Sequence, residues 1–367
     1  MGVVDLFVEL AALPSPSGEE RAVADRVVEE LLALGLEVDE DDTRAQTGSS
    51  VGNLLCRLEP TAPGTPLFLC AHLDTVPPAA AIEPVDEDGT IRNAAGTILG
   101  ADDKSAVAAM VEAARLVVEE ERAHAGIELL FTPKEEVGLV GAYAFDHTKL
   151  RARIGYVYDQ AAPIGTVILG APASYTIDAR FHGRASHAGM YPEEGRSAIA
   201  AASRAIADLR LGRIDDETTA NVGVVSGGSA VNVVPEWCEV RAEARSHDEA
   251  KLADLVQEML DTFSFAASGA DCEVEATVAK SYGAYRFRAG DEVVELALRA
   301  LRSCGYEPEF ALSGGAADAN VFNERGLACL NLANGMADIH TPAERIAVVD
   351  LEAMVAVTLA LFEAALA

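Results

Sequence analysis

Apolar residues recur along this chain with two different periods, and the period changes with position. Val23, Val27, Leu31 and Leu34 stand three or four residues apart, the spacing of one helical face, and Gly35 closes the element. Ser17-Gly18-Glu19-Glu20 just ahead has the make-up of a capping box, which predicts a helix beginning at that serine. Uninterrupted apolar runs follow. Leu67 to Ala71, Ile127 to Phe131 and Ile154 to Tyr158 read as buried strands, with a helical pattern over Lys104 to Glu120 between the first two. Alternating strand and helix predict an α/β layer fold with a mainly parallel mixed sheet. In such folds functional groups collect beyond the carboxyl ends of the strands.

The pattern shifts near Ala173. Ser174 to Phe181 alternates like a half-exposed strand, Ser197 to Leu211 is helical, and Val222 to Val225 and Trp237 to Ala244 are strand-like. A helix over Glu249 to Phe263 and a strand over Cys272 to Val278 complete a β-α-β-β-α-β order, the ferredoxin-like unit. Helical and buried-strand patterns resume at Asp291. The prediction is therefore a discontinuous α/β domain, residues 1–172 and 284–367, interrupted by an α+β insert over 173–283.

Composition narrows the functional classes. At 367 residues two domains are expected, and with 50% apolar but 5% aromatic residues the core should be aliphatic. The net charge of −31 repels phosphate backbones and anionic lipid, so neither nucleic acid nor membrane is an expected partner. Six scattered cysteines form no CxxC pair and read as reduced thiols, and the N-terminus lacks the basic region of a signal peptide; both point to the cytoplasm. The apolar stretch Ala353 to Phe362 is too short to span a bilayer.

The chemistry sits at the ends of the apolar runs. His72, Asp102, Glu136, Asp159 and His340 are two imidazoles and three carboxylates, a donor set for zinc, cobalt or manganese. His72 and Asp74 are two apart at a strand end and share a face, so Asp74 is placed to fix the tautomer of His72. Asp102 and Asp103 open a helix, where one can cap and the other bind; alone, either reads as a cap. Glu135 and Glu136 follow a buried strand, so one can bind a cation while the other serves as general base. Asp159 ends another strand run, and His340 lies beyond the run Leu327 to Leu332 and the turn Asn334-Gly335. Histidines 124, 147, 182 and 247 read as surface or turn residues.

Taken together, His72-Leu73-Asp74-Thr75, Gly100-Ala101-Asp102-Asp103 and Glu135-Glu136-Val137-Gly138 resemble the opening motifs of the M20 metallopeptidases. Gly183-Arg184-Ala185-Ser186-His187-Ala188-Gly189, Asn232-Val233-Val234-Pro235, Ser313-Gly314-Gly315 and His340-Thr341-Pro342 continue the series in order over nearly the whole chain. Gly96 to Lys104 and Thr132 to Glu136 are similar to the peptidase T-like branch. The resemblance implies two divalent ions, zinc above cobalt or manganese, bridged by Asp102 and by a water or hydroxide. One ion would take His72 and Asp159, the other Glu136 and His340. Glu135 would be the general base and Asp74 would orient His72. The insert would be a lid and homodimerisation domain, with His187 reaching the partner subunit's site to stabilise the oxyanion. Asn232, Arg245 and the Gly314-Gly315 backbone would bind substrate. Asp159, in place of the Glu found in deacylases of the family, implies an aminopeptidase for di- and tripeptides. An N-acyl amino acid amidohydrolase is the alternative within the family. A non-catalytic peptide-binding protein is the alternative of another class, although the ligand and base positions are all filled.

Overall fold

The run before His72 becomes a strand, Leu67–His72, buried over its whole length in the computed structural model, which describes residues 2–367. It lies between Ile127–Thr132 and Ile154–Val157 and is parallel to both, with His72 opposite Thr132 and Cys70 opposite Val157. Ala328–Leu332 extends the parallel set beside Ile154–Val157. The carboxyl ends of these four strands therefore open onto one edge of the sheet. Antiparallel neighbours complete the sheet: Leu54–Leu58 and Val38–Glu40 on one flank, Thr166–Ala171 on the other. Glu309–Leu312 pairs parallel with Thr166–Ala171.

Helices cover this sheet with small and branched apolar residues. Ala101–Glu119 buries Ala106, Ala108, Ala109 and Ala113, which let its backbone approach the sheet closely. Val348–Ala364 packs against Ala101–Glu119, Glu292–Ser303 and Val3–Ala12, and is apolar on nearly every side because it is enclosed. The stretch Ala353 to Phe362 is thus a core helix. Among the described residues no helix is long and apolar enough to cross a membrane.

Three local readings change. The first helix is Val3–Ala12, whose buried Val3, Leu6, Phe7 and Leu10 form one stripe. The second begins at Arg21, after Glu20, and Ser17 does not cap it. Ser17 Oγ instead donates to Asp74 Oδ2 at 2.6 Å, while the Glu20 carboxylate accepts from Gly18 N at 2.6 Å and Ser49 Oγ at 2.7 Å. A long-range hydrogen bond to a buried carboxylate outcompetes the local cap. His124 is buried rather than on the surface, its Nδ1 accepting from Gly126 N at 3.3 Å. The six cysteines are free, and five of them are buried.

The chain divides into two units: the sheet just described, up to Gly170 and again over Arg286–Ala367, and Ala171–Tyr285. The second unit is an antiparallel sheet in the spatial order Thr218–Gly227, Trp237–Ser246, Ala173–His182, Glu273–Tyr282. The order is that of a ferredoxin-like fold. Its helices, Ala198–Asp208 and Glu249–Gly269, share one core with the sheet, rich in alanine at 198, 201, 202 and 205. The two ends of this insert lie side by side, Ser174 opposite Tyr282. In the first unit the flanking residues also meet, Phe287 N donating to Leu169 O at 2.6 Å.

Candidate metal centre

Four loops at the carboxyl edge and the start of one helix bring the predicted ligands together. Gly100 has φ +78°, a left-handed conformation, and a Cβ there would stand 3.3 Å from Thr75 Cγ2, so the turn into the helix suits glycine. Asp102 follows with φ −83° and ψ 105°, outside helical geometry, and its peptide bond to Asp103 is cis. Its buried carboxylate then stands between two imidazoles. Oδ1 is 3.3 Å from His72 Nε2, and Oδ2 is 3.2 Å from His340 Nε2. His340 Nε2 is also 3.0 Å from Glu136 Oε1. Donor atoms of His72, Asp102 and Glu136 lie within 4.8 Å of one another, as do those of His72, Glu135 and Asp159. His72 is thus common to two groups, and Asp102 faces both histidines.

Around these groups stands a set of carboxylates and amides that fixes them. Asp74 is fully buried; its Oδ1 accepts from Glu135 N at 2.8 Å, and its Oδ2 from Glu136 N at 3.2 Å and from Ser17 Oγ. His72 Nδ1 lies closer to the main-chain oxygen of Asp74, at 2.9 Å, than to its carboxylate, at 3.5 Å. The tautomer of His72 is therefore held chiefly by backbone, which differs from the side-chain contact expected. Asn331 brackets Asp159, accepting from its N–H at 3.0 Å and donating to its carbonyl at 2.7 Å. Glu344 accepts from Leu99 N, Gly100 N and Asp102 N. Asp318 accepts from Thr132 Oγ1 at 2.6 Å.

The electrostatics follow from this crowding. Burial, and then the Asp159 charge, push the Glu135 carboxyl well above the usual range. Burial and Asp102 do the same to Asp159. Burial also opposes ionisation of Asp102, but hydrogen bonds from His340 and His72 prevail and hold it below the usual range. His340 is pushed up to about 10 by its hydrogen bonds to Asp102 and Glu136. So dense a group of carboxylates, with imidazoles turned toward them, is the complement of divalent cations. The residues present fit a metal centre.

The remaining predicted residues lie apart from this cluster in the chain. His187 is exposed in the second unit, where its Nδ1 accepts from Gly189 N at 3.2 Å and Met190 N at 3.1 Å. Two donors to Nδ1 leave the ring proton on Nε2, a hydrogen-bond donor in the neutral form. Asn232 is its neighbour, accepting at its carbonyl from Ala188 N at 3.0 Å. Arg245, half-buried on the Trp237–Ser246 strand, pairs with Glu243 at 2.9 Å. Gly314 and Gly315 follow the Glu309–Leu312 strand in the first unit, with Gly315 N donating to Ser313 Oγ at 3.1 Å. Sequence reasoning missed Ser17, Asn331, Asp318 and Glu344. Only Glu344 carried a usable signal, as an acid four residues beyond His340 in a loop without other acids after Asp338.

Known proteins resemble this chain in sequence and fold. The family model for the M20 peptidase dimerisation domain matches residues 172–270, and that for peptidase family M28 matches residues 53–166. The chain is 38% identical over 363 residues to the uncharacterized protein YqjE of Bacillus subtilis (strain 168), covering 99% of this chain and 98% of that one. The crystal structure of aminopeptidase PepT from Bacillus cereus ATCC 10987 is 39% identical with a TM-score of 0.90, covering 99% and 98%. That of a tripeptidase from Staphylococcus aureus subsp. aureus Mu50 is 36% identical with a TM-score of 0.94, covering 98% and 97%.

Proposed function

The chain belongs to the M20 family of metallopeptidases, in its peptidase T-like branch, and from that premise we propose that it is an aminopeptidase of tripeptides and other short peptides. The observation that carries the reading is the Asp102 carboxylate, with one oxygen toward His72 and the other toward His340. A carboxylate so placed is built to be shared by two cations. His72 and Asp159 would hold one, Glu136 and His340 the other, zinc being the ion that this donor set suits best. When bound, such a pair polarises a scissile carbonyl and acidifies water.

The chain's own residues do the rest. The Glu135 carboxylate takes a proton from the attacking water and delivers it to the leaving amine. That carboxylate lies within 4.8 Å of donor atoms of His72 and Asp159, beside the place where one ion would sit. Asp74 fixes where Glu135 and Glu136 leave the sheet, because it grips both of their N–H groups. His187, with its proton on Nε2, donates to the oxygen on which negative charge develops. In this reading the second unit is a lid and dimerisation domain, and His187 serves the partner subunit's site. Asn232, Arg245 and the Gly314-Gly315 backbone hold the polar ends of the peptide.

Purified protein assayed on Ala-Ala-Ala, on dipeptides and on N-acetylated amino acids, with and without chelator, tests the proposal. Cleavage of the tripeptide from its amino end, abolished by chelator and restored by zinc, is expected. Faster turnover of the acetylated set would replace the aminopeptidase by an N-acyl amino acid amidohydrolase. No hydrolysis of any of them by protein carrying two ions would leave only a peptide-binding role.

A further inference from the structure

The loop that delivers Asp102 has an anchor that is neither a candidate ligand nor the candidate base. Glu344 is buried, with 2% of its surface exposed, and its carboxylate accepts three main-chain N–H groups. Oε2 takes those of Leu99 at 2.7 Å and Gly100 at 2.9 Å, and Oε1 takes that of Asp102 at 3.1 Å. These are donors that the first turn of the helix Ala101–Glu119 and the turn leading into it would otherwise leave unpaired. A carboxylate at that position also complements the positive end of the helix. Lys104, fully buried one turn along, sends its Nζ to Leu13 O at 2.6 Å and so ties the same turn to a different part of the core.

Glu344 sits four residues beyond His340, in the same loop. One short segment therefore presents an imidazole to Asp102 Oδ2 while gripping the main chain of Asp102 itself. We propose that Glu344 is a positioning residue, which sets the orientation of the Asp102 carboxylate relative to His340 and thereby the loading of the centre with its second ion. The inference rests on the reading of Asp102 as the shared ligand. It assigns Glu344 no contact with substrate or metal; it acts through the three N–H groups and through the loop it shares with His340.

Glu344→Gln keeps the shape but replaces one acceptor oxygen by a donor NH2, which must oppose a main-chain N–H. Three measurements on the full-length protein separate a positioning role from general stability. In the metal-free state, hydrogen–deuterium exchange should accelerate in peptides covering residues 99–103 and stay unchanged in the Ile127–Thr132 strand. Zinc titration followed by calorimetry should show one of two sites weakened by about 10–100-fold, the usual range for partners that orient a ligand. On Ala-Ala-Ala, kcat should fall with the weakened site while KM moves by less than roughly threefold, the signature of an interaction that matters at the chemical step. Glu344→Asp, which keeps the charge, should recover part of the lost zinc affinity.

Unchanged exchange at 99–103 together with wild-type zinc binding would overturn the proposal and leave the metallopeptidase reading intact. Exchange accelerated throughout the first unit, with both sites weakened alike, would overturn it in favour of a general stabilising role. If Glu344→Gln does not fold, Glu344→Asp is read by the same exchange and titration criteria. Wild-type protein that binds no zinc would instead refute the proposed function on which the inference stands.

Discussion

The carboxylate of Asp74 accepts the main-chain N–H of Glu135 at 2.8 Å, so the strand end that carries His72 also fixes the chain that carries Glu135. With Glu136 N on its other oxygen and His72 Nδ1 nearer its own carbonyl, Asp74 acts more on the glutamates than on the histidine. Asp74→Ala should therefore displace Glu135 and Glu136 together. We expect activity on Ala-Ala-Ala to drop about 10–100-fold, with zinc weakened at the Glu136 and His340 side more than at the His72 side. Zinc titration measures this, and selective loss at the His72 side would return Asp74 to the role of a histidine partner.

Glu135→Gln preserves the side-chain volume and the main-chain N–H that Asp74 holds. Turnover should fall on the order of 10²–10⁴-fold, the range for removing a general base, while two ions remain bound. Elemental analysis of the purified variant decides between this and a ligand role, which would show as loss of metal.

Acidity should govern how strongly cations stabilise the fold. Glu135 and Asp159 are raised by burial and by neighbouring charge, so each binds a proton more tightly folded than unfolded. Such groups contribute stability that is complete below their unfolded pKa, about 4, and is lost as pH rises through the folded value. His340, raised to about 10, acts in the same direction across the neutral range. Metal-free protein thus carries a penalty that grows with pH and that divalent cations relieve. The increase in Tm produced by saturating zinc over chelator should be larger near pH 8 than near pH 5, because protons compete for the same atoms. An increase that shrinks with pH would contradict this assignment of charge.

His187→Ala should lower kcat on the order of 10²–10³-fold if its Nε2–H meets developing charge, with little change in bound metal. Mixing this variant with Asp102→Ala protein should restore activity through hybrid dimers, each holding one intact centre. Lack of restoration despite demonstrated subunit exchange would place the histidine in its own subunit's site.

Much of the first unit was legible because its strands are fully buried: Leu67–His72 and Ile127–Thr132 are continuous apolar runs that stop where polar chemistry begins. The second unit was legible through alternation, as along Trp237–Ser246, where every second residue is buried. Partners set by tertiary approach were not legible. Ser17 looked like a cap because its local sequence fits one, and nothing nearby announces a carboxylate 57 positions further on. Asn331 lies in a strand and Asp318 heads the helix Asp318–Glu324, and their roles arise only when distant parts of the chain meet at Asp159 and Thr132. His340 owes its place to a left-handed backbone, φ +62°, which no hydrophobic period encodes.

The hydrogen bond from Phe287 N to Leu169 O closes the gap that the insert opens in its host. For the sheet that carries the candidate ligands, the whole of Ala171–Tyr285 is then a single excursion whose ends already touch. The entropy of closing such an excursion grows only with the logarithm of its length. The insert can therefore lengthen, shorten or be exchanged over evolutionary time with little penalty to the sheet, and the two units are free to diversify at different rates.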